Sequence, residues 1–166
     1  NHILAHAPEL MKPPLKQTRK KVAVVGSGPA GLAAAYYLRQ AGHQITVYDR
    51  LARAGGMLAY AIPAYRLPRK LVGDQIAALE AMGIVFKLNT EIGAKGNSLR
   101  ALRKAFDSVF LATGAWAQKN IRLEKSELLT SGMAFLTDKK PAVGRNVLVI
   151  GGGNVAVDAA VSARRA

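Results

Sequence analysis

The sequence predicts an α/β chain: a parallel sheet with helices on its faces. Two observations predict it. Short apolar, β-branched runs ending in glycine alternate with helix-like segments, the pattern of a parallel α/β sheet with right-handed crossovers. At its start, strand, glycine turn, helix and strand fit within about 30 residues, the size of one βαβ unit. With 50% apolar and 20% charged residues, the composition can bury a core.

The elements follow in order. Lys21-Val-Ala-Val-Val25, ended by glycine, reads as a buried strand. Pro29 to Gln40 reads as a helix, with proline in its first turn and Gly42 just past its end. Ile45 to Asp49 is the second strand, and Arg50 to about Pro68 a long loop. Leu71 to Met82 is a helix with Val72, Ile76 and Leu79 on one face and Gly83 as its stop. Ile84 to Leu88 is a third strand, Leu99 to Lys104 a short helix, and Ser108 to Ala112 a strand running into Thr113-Gly114. A helical turn or two falls near Ser131 to Leu136. Asn146 to Ile150 reads as another strand, and Asn154 to Arg165 as another helix. Residues 1–20 are a proline-containing arm or linker.

Gly26-Ser27-Gly28-Pro29-Ala30-Gly31 fits G-x-G-x-x-G. The pattern alone is weak. Here it follows a predicted strand, opens a predicted helix, and precedes Asp49 by about 20 residues. Gly26 allows the tight turn, Gly28 lets backbone N–H groups approach a pyrophosphate, and Gly31 brings the helix close to the strand. The free N–H groups and the helix dipole then hold the anion. Asp49 would accept hydrogen bonds from ribose hydroxyls, and its charge would repel a 2′-phosphate, favouring FAD or NAD. The plain alternatives are a flexible turn that binds nothing and an ordinary turn-facing acid. Gly151-Gly152-Gly153-Asn154-Val155-Ala156 fits G-x-G-x-x-A in the same context, alanine being an accepted variant in the last slot. Asp158 follows and reads as compensating the helix dipole rather than binding ligand. Two such loops in one chain suggest two cofactors exchanging electrons. The fold expected is thus Rossmann-like, with two dinucleotide-binding domains, the second cut short.

Cysteine is absent, which excludes disulfides, thiolate-bound zinc and iron–sulfur ligation within this stretch. His2, His6 and His43 have no metal-ligand spacing, so no metal site is expected. Lysine and arginine number 24 against 10 acids, a formal charge of +14, which suits an anionic partner. Part of that excess would pair with acids beyond this stretch. Val22 to Leu38 carries no charge over seventeen residues, but its central glycines and proline read as a turn, so no membrane span is expected. With no secretory pattern in the first twenty residues, the expected location is cytoplasmic.

Five strings occur here in one order: VAVVGSGPAGLAAAYYL, then YD, AGGMLAYAIPAYRLPRKLV, FDSVFLATGAW and NVLVIGGGNVAVDAA. Over about residues 20–166 the chain resembles the flavin- and NADPH-binding module of the glutamate synthase small chain, shared with dihydropyrimidine dehydrogenase and related iron–sulfur flavoproteins. Ala61-Ile-Pro-Ala-Tyr-Arg-Leu-Pro68 is the most specific piece. The resemblance implies a flavoprotein that accepts hydride from NADPH or NADH on FAD and passes electrons to 4Fe-4S clusters. These clusters would lie outside this chain, in an iron–sulfur domain or a larger catalytic subunit. It implies roles by position. Gly26, Ser27, Gly28, Pro29 and Ala30 would hold the FAD diphosphate. Asp49 would replace the usual ribose-binding glutamate, one methylene shorter. Gly55 and Gly56 would run along the FAD, with Met57 beside it, and Arg66 would reach the cofactor. Ile92 falls where the family's backbone meets adenine, and Thr113-Gly114 where its A-T-G turn closes near the diphosphate. Gly152, Gly153, Asn154 and Val155 would receive the NADPH diphosphate.

Residues 21–140 would be the first part of the FAD domain, and 141–166 the opening strand and helix of the NAD(P)H domain. No general base or nucleophile is required, so no catalytic residue is assigned. The chain departs from the family at Ala61, commonly glycine, and at Leu123–Glu127, where P-G-E-D is frequent. Arg66 could instead be simply solvated, and Trp116, Tyr36, Tyr37, Tyr60 and Tyr65 could be core or loop anchors as well as flavin neighbours. Two competing functions stand beside the leading one. A thioredoxin- or glutathione-reductase-type enzyme needs an active disulfide, which this composition lacks. A Rossmann-type scaffold with a basic surface for nucleic acid is favoured by the charge. It is opposed by the scatter of the basic residues and the lack of an aromatic-interleaved stripe.

Overall fold

The computed structural model describes residues 16–94, 96–117, 129–137 and 143–165. Four strands, β1 (Lys21–Val25), β2 (Gln44–Tyr48), β3 (Val85–Lys87) and β4 (Ser108–Leu111), form one sheet in the order β3-β2-β1-β4, with every pairing parallel. Helices α1 (Pro29–Gln40), α2 (Met57–Tyr60), α3 (Arg69–Ala81), α4 (Leu99–Ala105), α5 (Gly132–Leu136) and α6 (Asn154–Arg164) complete the elements.

β1 is apolar throughout its interior because it is buried on both faces. Val22 and Val24 point to one side, into a cluster with Ile45 and Val47 of β2, Ala35 of α1, and Leu79, Met82 and Ile84. Ala23 and Val25 point to the other, with Tyr48 of β2 and Leu102 of α4. The two-residue period of a strand thus divides four residues, Val22 to Val25, between two cores. The chain leaves β1 for β2 and β3 on one side, then returns to place β4 on the other side of β1. At the carboxyl ends of β1 and β4 the connections part, and a doubly wound sheet binds its ligand at such a switch point.

The uncharged stretch from Val22 to Leu38 divides into β1, a glycine turn and α1, and no helix among the described residues is long and apolar enough to cross a membrane. The arm is described only from Lys16 onward. There Thr18 donates its N–H to the Gly42 carbonyl (3.0 Å), and its Oγ1 lies 2.6 Å from Nδ1 of His43, so the segment entering β1 is tied across the α1–β2 turn. The other arm residues and Leu123–Glu127 lie outside the described residues.

Two expectations need correction. The long loop from Arg50 to Pro68 contains α2, whose Ala59 and Tyr60 pack with Val72 of α3. Four residues are too few for a helical period to show in sequence. Asn146 to Ile150, read as a strand, is not part of any sheet among the described residues, and Leu148 is 88% exposed. The run has strand composition, but a strand exists only through neighbours that accept and donate its ladder bonds. α6 instead packs on α5, through Phe135, Leu136 and Ala159.

Gly31 shows how closely α1 meets the sheet: a Cβ there would lie 1.8 Å from the Gly26 carbonyl oxygen. Gly31→Ala therefore forces α1 away from β1, and a destabilisation of about 2–3 kcal/mol is expected, read as a lowered denaturation midpoint.

Candidate functional site

The first glycine loop leaves β1 at Val25 and turns into α1. Gly26 has φ +105°, and a Cβ on it would sit 2.1 Å from the Ala112 carbonyl oxygen beyond β4, so both dihedral and space demand glycine. Gly28 is different. Its φ is −70°, open to any residue, and nothing lies within 4 Å of its missing Cβ. The fold gives no packing reason for this glycine.

Gly28 is the N-cap of α1, with no side-chain cap and no acidic residue in the first turn. Its carbonyl accepts from Leu32 N–H (2.9 Å). Pro29 has no N–H. Among the described residues the N–H groups of Gly28, Ala30 and Gly31 have no acceptor. Orphan donors at the positive end of a helix are an anion site by construction. Gly26 and Ser27 do not share this role: Gly26 N–H donates to the Tyr48 carbonyl (2.8 Å) and Ser27 N–H to Asp49 Oδ2 (2.7 Å). Of the amides from Gly26 onward, three are thus without an acceptor among the described residues, because the opening of the turn is stitched to β2.

Asp49 follows β2 and is buried. Its Oδ2 accepts from both the N–H and the hydroxyl of Ser27, itself fully buried, and its Oδ1 accepts from Leu51 N–H (2.9 Å). A carboxylate offers about four lone-pair positions, so one on Oδ1 is left for a ligand. The sequence expects Asp49 to bind a ribose; in the fold the aspartate also holds the loop through three accepted bonds. The part played by the Ser27 side chain was missed, since the x positions of the motif carry no signal.

Gly55 donates its N–H to the Ser27 carbonyl (2.9 Å), and Gly56, at φ +52°, would place a Cβ 2.8 Å from the Gly28 Cα. Gly56 is the N-cap of α2, so Met57 begins that helix beside the first loop. Thr113 and Gly114 follow β4, where the Thr113 nitrogen is 3.2 Å from the position of a Gly26 Cβ and Gly114 has φ +73°. Trp116 lies under the Arg50 guanidinium, 5.3 Å from its ring centroid. Ile92 packs against the cluster of Ala23, Val25, Tyr48 and Leu102. Gly26 to Gly31, Asp49, Gly55 to Met57 and Thr113-Gly114 thus gather at the carboxyl ends of β1, β2 and β4.

The second glycine loop repeats the backbone of the first. Gly151 has φ +128° where Gly26 has +105°, and Gly153 is N-cap of α6 with φ −80° and ψ 173° where Gly28 has −70° and −177°. Val157 N–H donates to the Gly153 carbonyl (3.1 Å) as Leu32 does to Gly28. α6 has no side-chain cap and no acid in its first turn, and a Cβ on Gly152 or Gly153 would meet nothing within 4 Å. Asn154 and Val155 open this helix, and both are exposed.

Arg66 lies away from this pattern. Its Nη1 donates to both oxygens of Asp158 (2.9 and 3.0 Å), and the Tyr65 hydroxyl donates to Oδ1 of the same carboxylate (3.2 Å). Asp158 falls in the second turn of α6 and is buried. The sequence reads it as compensating the helix dipole; in the fold its partners are an arginine and a tyrosine 92 and 93 residues away.

Asp49→Ala deprives three donors of their acceptor at once, and a loss of about 2–3 kcal/mol is expected, against about 1–2 kcal/mol for Ser27→Ala. The double variant should fall short of the sum, since both changes break one network; chemical denaturation of the four proteins measures this.

The comparisons agree with this geometry. The model of the pyridine nucleotide-disulphide oxidoreductase family matches residues 20–166. The chain is 43% identical over 168 residues to the glutamate synthase [NADPH] small chain of Bacillus subtilis, covering 92% of this chain and 34% of that protein. It is 42% identical over 155 residues to the NADP(+)-dependent formate dehydrogenase subunit beta of Moorella thermoacetica, covering 88% and 22%. It therefore spans only about a third of the length of the first and about a fifth of the second. The solved structure of Mycobacterium tuberculosis FprA in complex with NADPH shares the fold, with a TM-score of 0.73 at 22% identity over 86% of this chain and 36% of that one. With the family's motif region matched from the first strand to the last helix, the chain belongs to the pyridine nucleotide-disulphide oxidoreductases.

Proposed function

We propose that this chain is the cofactor-binding part of an NAD(P)H-dependent flavoprotein oxidoreductase that feeds electrons to iron–sulfur clusters or a partner subunit. The first glycine loop takes FAD and the second the nicotinamide dinucleotide. The observation that carries the reading is Gly28: a glycine free in dihedral and in space, among three unpaired N–H groups at an uncapped helix start. A diphosphate satisfies those donors, and a side chain at Gly28 would stand in its way. The repeated backbone at Gly151–Gly153 supports a second dinucleotide by the same physics.

Within this reading Gly28, Ala30 and Gly31 donate to the FAD diphosphate. Asp49 and Ser27 keep the loop in shape, with Oδ1 of Asp49 retaining room for one ribose hydroxyl. Gly56 and Met57 line the cofactor, Thr113 and Gly114 close near the diphosphate, and Ile92 lies toward the adenine. Gly152, Gly153, Asn154 and Val155 receive the second diphosphate. When bound, flavin supplies the conversion between two-electron and one-electron transfer; the chain's task is to hold and orient. The donor in this reading is NADPH or NADH, the names of the two relatives above carrying NADP, and a cytoplasmic location is part of the same proposal. A basic scaffold for nucleic acid has no comparable observation behind it.

Gly28→Val separates a ligand-binding glycine from a structural one. A Cβ there meets no protein atom within 4 Å, so the variant should still fold, losing about 1 kcal/mol for valine at the helix N-cap, while flavin absorbance in the purified holoprotein is lost. Full flavin retention by a folded variant would refute the assignment.

A further inference from the structure

The resemblance has Arg66 reach the cofactor; in the fold its guanidinium also meets the helix of the other loop. Arg66 lies between α2 and α3, on the segment that begins at Gly56, where backbone packs on Gly28 of the first loop. Both oxygens of Asp158 accept from its Nη1, Tyr65 adds a third donor, and the Tyr65 ring is faced by the Arg165 guanidinium at 4.3 Å. Asp158 is the more buried partner: its side chain is 9% exposed against 46% for Arg66. Tyr65 and Arg66 thus grip α6 at its second turn, and Tyr65 reaches its carboxyl end.

We propose that Arg66 is a positioning residue for the nicotinamide dinucleotide: through Asp158 it fixes α6, and with it the N–H groups of the second glycine loop, relative to the first. This rests on the functional reading above. Two physical effects act together. The ion pair anchors α6 to the segment that begins at Gly56 beside the first loop. Asp158 also sits four residues past Asn154, about 6 Å along the helix axis. Left unpaired, its carboxylate would oppose a diphosphate at the helix start. Arg66 cancels that charge.

The test is equilibrium titration of the flavin-loaded holoprotein with NADPH, followed by fluorescence, alongside flavin content. Arg66→Ala should raise the dinucleotide Kd by about tenfold with flavin content unchanged, because it strands a buried carboxylate. Arg66→Lys, which keeps the charge, should recover most of the affinity. Arg66→Ala with Asp158→Asn should bind no more weakly than Arg66→Ala alone, since the two residues act as one unit. Loss of flavin from Arg66→Ala with unchanged dinucleotide affinity would overturn the proposal in favour of direct flavin contact. Unchanged affinity with full flavin, or fully multiplicative losses in the double variant, would also overturn it. A parent protein that shows no saturable NADPH binding would instead refute the functional reading itself.

Discussion

The Asp49 carboxylate, closing on the N–H and hydroxyl of Ser27, is the interaction on which the site depends. It ties the carboxyl end of β2 to the turn after β1. With Gly26 N–H bonded to Tyr48, the opening of the glycine loop has no freedom left. The loop's remaining donors, on Gly28, Ala30 and Gly31, are then presented at the head of α1 with no acceptor among the described residues. A turn held less firmly would relax toward local partners, and preorganised amides are what make a helix start bind an anion strongly.

The sheet makes this arrangement available. β1 is central, buried on both faces, and flanked by β2 and β4 in parallel register. Parallel pairing brings the carboxyl ends of all three strands to one edge. Gly26, Asp49 and Thr113 reach that edge for this reason and no other, being far apart in sequence. The same glycine-turn geometry recurs at Gly151 to Gly153 without a sheet behind it among the described residues. The turn and cap are therefore local properties of the motif, while its support is not. α6 meets α5, Tyr65 and Arg66.

Much of this was legible from residue order. α1 was read with its observed bounds because proline and Gly42 mark its ends. β1 and β4 were read within a residue, because β-branched runs bounded by glycine or charge have few alternatives. Both glycine loops were located by motif and context. α2 escaped because four residues show no period. The strand expected at Asn146 to Ile150 failed because its composition speaks to propensity, whereas membership of a sheet is decided by a neighbour. Arg66 and Asp158 were each noticed singly; no sequence signal joins residues 92 positions apart.

The chain's own order of residues determined the α/β class, the parallel alternation, and the glycines at 26, 28, 31, 151, 152 and 153 where backbone must turn or lie bare. These are short-range matters, set by dihedral preference, helix capping and hydrophobic period. Tertiary structure decided which charges meet: Asp49 with Ser27, and Arg66 with Asp158. A carboxylate or guanidinium serves equally as ligand contact, clamp or surface charge, and only the folded chain's distances and burial choose among them.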